Sequence, residues 1–226
     1  MTILALETST PRASVAVWCD GAVVREWTFQ SDRSHNSLLF GPLGQALDTA
    51  TPDLIAVGTG PGSYAGVRVA LAAGLAISLA AGIPLVGWPS LTACDLPGDS
   101  GVIVGDARRG GFFLAEVTDG RLAGPPVIVE AGELAARTGG GAVRTFDDRL
   151  PVAQAMRVIP SAGWLARRVA ELTPSERAAL AAATPEPLYL RAPFVTTPKP
   201  RAAGGSPEGA GPSLLSGGGR GGADFG

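Results

Sequence analysis

"GTGPGSYAGVRVALAAGLAISLAAGIPLVGW", residues 58–88, decides how the chain is read. Gly60, Pro61 and Gly62 supply the backbone freedom of a sharp turn, and Ser63 can cap whatever helix follows. That helix is expected over residues 63–81, with Gly82 as its C-cap and Pro84 as its stop. "PLVGW" beyond it reads as a strand. A glycine-rich loop that opens a helix can cradle phosphate through its converging N–H groups. This one lacks the G-K-[ST] of a P-loop and the spacing of a dinucleotide fingerprint, so it reads as a turn that launches a helix.

Within the helix, Gly66, Ala70, Gly74, Ser78 and Gly82 recur every four residues and form a ridge of small side chains. A helical glycine costs about 1 kcal/mol relative to alanine, so two of them mark a place where something packs very closely. The neighbour would be a helix of this chain or of another. Leu71, Leu75 and Leu79 lie on other faces and are expected to fill the chain's own core. The uncharged run 69–83 is closed by Arg68 and Pro84. It falls short of the roughly 20 residues of a membrane span, so a buried or partner-covered helix is expected, and no membrane partner.

Working outward, "TILALE" and "ASVAVWC" read as strands, and Asp20 and Gly21 mark a hairpin into "AVVREWTF". Ser34 can cap a helix through Leu47, with Leu38, Leu39, Leu43 and Leu47 on one face and a kink at Gly41 and Pro42. "DLIAVG" is the strand before the quoted loop. The order β-β-β-α-β-α-β is a meander followed by parallel additions. It departs from Rossmann alternation and matches the ribonuclease-H-like half of the actin and sugar-kinase fold. The expected fold class is α/β, actin-like ATPase (ribonuclease-H-like), with two related subdomains of which the second is reduced.

The first subdomain is expected over 1–100 and the smaller second over 101–196. The second opens as the first does, with strands at 102–107 and 112–117 around a turn at 108–111. Helices are expected near 130–137, 162–171 and 175–183, with a strand near 142–146 and a closing strand or extended segment at "PLYLR", 187–191. Residues 197–226 hold ten glycines and four prolines with only Leu214, Leu215 and Phe225 as large apolar groups. Too little surface can be buried there to offset ordering entropy, which predicts a disordered tail.

A net charge of −2, with seventeen arginines and one lysine scattered along the chain, gives no basis for autonomous binding to a polyanion. Two cysteines, Cys19 and Cys94, make no disulfide framework, and "MTILALETST" shows no secretion signal, so a cytoplasmic location is expected. His35, the single histidine, rules out sites built on two or three imidazoles; its place near a helix start makes it a surface or interface residue. Glu7 and Asp106 stand at equivalent strand ends and are the cleft candidates for Mg²⁺ and nucleotide phosphates. On them rests the alternative reading, a small actin-fold kinase.

Taken together, "ILALETSTPRASVAV", "RSHNSLL", the quoted stretch with "PSLTA" after it, "GDARRGGFFLAEV" and "EPLYLR" resemble the TsaB (YeaZ) family, also labelled glycoprotease-like. The resemblance implies a small, non-catalytic subunit of the bacterial machinery for threonylcarbamoyladenosine in tRNA. Its partners would be the catalytic paralogue TsaD and the ATPase TsaE, with tRNA met only through the complex and a homodimer in isolation. It would have no cofactor of its own, whereas the partner subunits use ATP and a metal ion. The two histidines that hold the metal in TsaD are matched here by Ser90 and Cys94, whose i, i+4 spacing would place them on one helix face. A serine and a lone thiol do not make such a site. The helices over 34–47 and 63–81 would form the shared bundle, with His35, Leu38, Leu39, Gly66, Ala70, Gly74 and Ser78 as interface residues.

Overall fold

Three antiparallel strands and two parallel ones build the first sheet: β1 (Thr2–Glu7), β2 (Arg12–Cys19), β3 (Ala22–Gln30), β4 (Leu54–Gly58) and β5 (Leu85–Trp88). Their order is β3-β2-β1-β4-β5, with β1 antiparallel to β2 and parallel to β4. The computed structural model describes residues 1–30, 35–138, 142–148 and 155–191, without the side chains of 35–37. Two compact units divide the chain, Met1–Pro193 and Phe194–Gly226. The second, with the tail expected at 197–226, lies outside the described residues, as does the Ser34 cap.

Helices α1 (His35–Thr49) and α2 (Tyr64–Ala81) lie on one face of this sheet, over a core of Leu4, Leu6, Val15, Val17, Ile55 and Val57. Central strands β1 and β4 are buried on both faces, as their continuous apolar runs require. In α2 the Ser63 hydroxyl caps the Gly66 N–H at 3.1 Å and Gly82 ends the helix in the left-handed region (φ 68°). Trp27 Nε1 donates to Gln45 at 2.8 Å and ties β3 to α1.

The second sheet contains β6 (Gly101–Asp106), β7 (Gly111–Thr118), β8 (Arg121–Leu122), β9 (Val127–Glu130), β10 (Val143–Thr145) and β11 (Ala155–Arg157). Its order is β11-β10-β6-β7-β8, with β9 also paired to β7. Helix α3 (Ala131–Thr138) places Leu134 in its core. Helix α4 (Ala162–Ala170), which comes from the second half of the sequence, covers the other face of the first sheet. There Ala162, Leu165, Ala166 and Val169 pack on Ile3, Ala5, Ala16 and Ala56. Helix α5 (Pro174–Ala181) follows with a Thr173–Glu176 capping box. Residues 187–191 form no strand; they run as an extended strap whose Leu188 N–H donates to Thr59 at 2.8 Å.

The two helices over the first sheet correct the sequence reading. The small-residue ridge of α2 faces the chain's own strands: Ala70 and Gly74 are buried, and Thr8 Oγ1 donates to the Gly66 carbonyl at 2.7 Å. A Cβ on Gly74 would stand 2.7 Å from Val57 Cγ1 and 3.1 Å from Leu85 Cδ1, so the close approach inferred from the glycines is to a sheet. Ser78 is half-buried and donates to the Ile83 carbonyl at 2.6 Å, closing the helix end. The larger residues are turned outward, Leu75 exposed and Leu79 76% so. In α1, Leu39 is fully buried with Leu43 and Ala46, whereas Leu38 and Leu47 are exposed. Leu39, Gly66, Ala70 and Gly74 are therefore core residues, not interface residues. Leu38 stays on the surface, and the side chain of His35 lies outside the described residues.

Ala70→Arg should consequently unfold the chain. An unpaired guanidinium buried against β4 costs several kcal/mol, a large part of the roughly 5–15 kcal/mol that holds a domain together. A thermal melt should show the cooperative transition lost or shifted down by more than about 10 °C; a melting temperature equal to wild type would place the ridge on the surface.

Candidate functional site: a filled strand-end cradle and an open helix face

In α/β folds ligands gather at the carboxyl ends of the parallel strands. Here β1 delivers Glu7 to that edge, β4 delivers Gly58, and Ser90 follows β5. Glu7 is fully buried: its Oε1 accepts the Ser9 N–H at 2.7 Å, while Oε2 and the nearby Ser9 Oγ are buried without a protein partner. A Cβ on Gly58 would fall directly on Glu7 Oε2 and 2.8 Å from Ser90 Oγ, so only a glycine lets the strand end close against this buried carboxyl. Burial pushes that carboxyl above the usual range, with the Ser9 N–H opposing.

The glycine-rich loop is equally committed. Thr59 N–H donates to Trp88 at 2.9 Å, Gly60 N–H to Ser90 Oγ at 3.0 Å, and Ser63 N–H to the Ser9 carbonyl at 2.6 Å. In return Ser90 N–H bonds Gly60 at 2.9 Å. The N–H groups of Thr59, Gly60 and Ser63 thus already have acceptors within the chain, which leaves fewer donors for a phosphate. The loop positions α2 and locks it to β5.

Asp106 lies elsewhere. It ends β6 in the other sheet, is exposed, pairs with Arg108 at 3.2 Å and accepts the Arg108 N–H at 2.7 Å. No hydrogen bond or ion pair among the described residues joins it to Glu7, so the two cleft candidates do not converge. Ser90 and Cys94 do not share a helix face either, because Ser90–Thr92 is a single 3₁₀ turn. Ser90 turns to Gly60, whereas Cys94 is buried among Leu91, Leu96 and Ile103, its thiol pushed up to about 12 by burial. Among the described residues no group of three or more His, Cys, Asp or Glu side chains could hold a metal. One buried carboxyl and an un-ionised thiol do not fit a cation's ligand set.

The second feature is a surface. Alpha-helix α2 is the one described helix long and apolar enough to cross a membrane, with a mean hydropathy of 1.6, yet only 28% of it is buried. One side lies on the sheet and the other carries Ala72, Leu75, Ala76 and Leu79 into solvent. Beside it α1 presents Leu38, Phe40 (60% exposed) and Leu47. Sequence reasoning missed Phe40 and turned α2 the wrong way round.

Sheet order, the helical layers and the strand-end cradle define an α/β protein of the actin-like, ribonuclease-H-like fold. The structure of YeaZ from Pseudomonas aeruginosa superposes with a TM-score of 0.65 at 24% identity, covering 84% of this chain and 99% of that one. Residues 33–129 match the family described as TsaD, tRNA N6-adenosine threonylcarbamoyltransferase. Escherichia coli TsaB, a tRNA threonylcarbamoyladenosine biosynthesis protein, is 32% identical over 127 residues, 51% of this chain and 54% of that protein. An uncharacterised protein of Mycobacterium tuberculosis is 34% identical over 140 residues, 58% of this chain and 66% of its own. The chain thus spans about half to two thirds of the curated relatives it matches. Its likenesses are thus to TsaB and YeaZ and, over residues 33–129, to the TsaD family.

The sealed Glu7 gives a pH signature. With its folded pKa above the unfolded value of 4.5, the folded state holds the proton more tightly, so this stabilisation is complete below that value and is lost as pH rises through the folded pKa. Urea unfolding from pH 4 to pH 8 should show wild type losing stability relative to Glu7→Gln as pH rises. Parallel curves for the two proteins would mean that Glu7 ionises freely in the fold.

Proposed function

We propose that this chain is a non-catalytic scaffold subunit in the synthesis of threonylcarbamoyladenosine in tRNA, and that it works by docking a TsaD-type catalytic subunit. The threonylcarbamoyl group would go to the adenosine beside the anticodon in tRNAs that read codons beginning with A. The observation that carries the reading is the uncovered apolar surface of α1 and α2. Leu38, Phe40, Leu75 and Leu79 stand in solvent on two helices whose opposite sides complete the core. Large apolar side chains left in solvent on two neighbouring helices are the kind of surface that a protein or membrane contact covers. The likeness to TsaB and YeaZ favours the protein, and the ATPase TsaE and tRNA would join the assembly through it, in the cytoplasm.

The strand-end cradle supports the same reading from the other side. A kinase would need Glu7 and Asp106 to face one nucleotide, and the first is sealed under Gly58 while the second belongs to another sheet. Metal and ATP chemistry would be the partners' contribution.

Leu79→Asp tests the docking face without touching the core. Its melting temperature should stay within a few degrees of wild type, as expected for a surface substitution. Affinity for the cognate TsaD-type subunit, measured by calorimetric titration, should fall about tenfold or more because the carboxylate would be desolvated on docking. Wild-type affinity would remove the α1–α2 surface from the contact.

A further inference from the structure

At the N-terminal end of α2, three side chains from two distant parts of the chain are stacked in solvent. The Arg68 guanidinium lies 3.8 Å from the centre of the Tyr64 ring, and its Nε and Nη2 both donate to the Tyr189 hydroxyl, at 3.2 and 2.9 Å. The two tyrosine rings are 6.0 Å apart. Tyr64 is 55% exposed and Tyr189 42%. Tyr189 is brought there by the 187–191 strap, which is held to the glycine-rich loop through Leu188 and Thr59.

The donor and acceptor inventory of this cluster does not close. A guanidinium has five N–H groups and no acceptor. Two of the five point at one phenol oxygen, and three remain. That oxygen already receives two hydrogen bonds, so its own O–H hydrogen must be donated outward. No carboxylate lies within ion-pair distance of Arg68 among the described residues. What remains is a pre-ordered set of donors with one positive charge, held flat by the Tyr64 face. Its complement is an acceptor with a negative charge.

We propose that Tyr64, Arg68 and Tyr189 form the polar anchor of the α1–α2 docking surface, and that they take an acidic side chain of the docked catalytic subunit. The inference rests on the docking reading above and specifies one chemical feature of the partner. Continuity places the anchor there: Tyr64, Arg68, Ala72, Leu75 and Leu79 follow one another at helical spacing along the exposed side of α2. A protein partner fits this surface better than RNA, because Arg68 is the one cation of this cluster among the described residues and adjoins apolar side chains, whereas a nucleic-acid site strings several cations along a backbone. Arginine and tyrosine at the edge of an apolar patch are also the residue types that carry binding energy in protein interfaces.

The test uses the full chain, the cognate TsaD-type subunit and three variants: Arg68→Gln, Tyr189→Phe and Leu79→Asp. Arg68→Gln should fold as wild type and weaken the complex about tenfold or more, since a partner carboxylate would be left unpaired. Its affinity should also depend less on salt than that of wild type. Tyr189→Phe keeps the ring and loses the outward donor, so a smaller, severalfold weakening is expected. If Leu79→Asp breaks the complex while Arg68→Gln and Tyr189→Phe bind with wild-type affinity and salt dependence, the anchor is wrong and the docking face stands. If all three bind as wild type, the docking reading itself fails. If Arg68→Gln leaves the protein complex intact but lowers its affinity for tRNA, the cluster contacts RNA and the proposal is overturned.

Discussion

The separation between α2 and strands β4 and β5 sets the rest of this structure. Gly66, Ala70 and Gly74 present almost no side chain, so the helix settles until Val57 and Leu85 occupy the space that a Cβ on Gly74 would need. That approach closes the upper core with Leu39 and Leu43 of α1. It also fixes the helix rotation. With the small ridge inward, Leu75 and Leu79 must point away from the sheet. An apolar outer surface is the geometric consequence of an inner surface made of glycine and alanine.

The same loop that starts α2 also closes the strand ends. Because Ser63 is bonded to Ser9, and Gly60 to Ser90, the loop lies down over Glu7 in place of standing open above it. A carboxyl that could have met a cation is dehydrated and pushed toward its neutral form. On the other side of the sheet, buried Arg168 of α4 bonds the Thr92 carbonyl at 3.0 Å and Asp99 at 2.6 Å, fastening the turns after β5 to the helix layer below. One end of the molecule is thus consolidated, and what it leaves exposed is the apolar outer side of α1 and α2.

Much of the fold was legible because local signals and tertiary packing agree. The Asp20 and Gly21 hairpin, the Ser63 and Gly82 caps and the buried strands all carry residue types that their backbone positions require. The rotation of α2 was not legible, because both of its sides are apolar and periodicity alone does not say which one lies on the sheet. In α1 the four leucines suggested one face, yet a helix resting at the sheet's edge buries only Leu39 and Leu43 of them. Ser90 and Cys94 misled by spacing alone, since a 3₁₀ turn does not put i and i+4 on one side. The Tyr64, Arg68 and Tyr189 cluster was half visible as an i, i+4 pair; its third member arrives from 121 residues away.

The central claim is that α2 packs its small residues inward and offers its large ones to a partner. Single-cysteine variants Ala73→Cys and Leu79→Cys, built with Cys19 and Cys94 replaced by alanine, report it through alkylation rates with and without the TsaD-type subunit. The account predicts that the thiol at position 79 reacts rapidly in the isolated chain and is protected in the complex. The thiol at 73 should stay unreactive in both until the protein is denatured. Rapid alkylation at 73 in the folded chain, or equal rates at 79 with and without the partner, would contradict it.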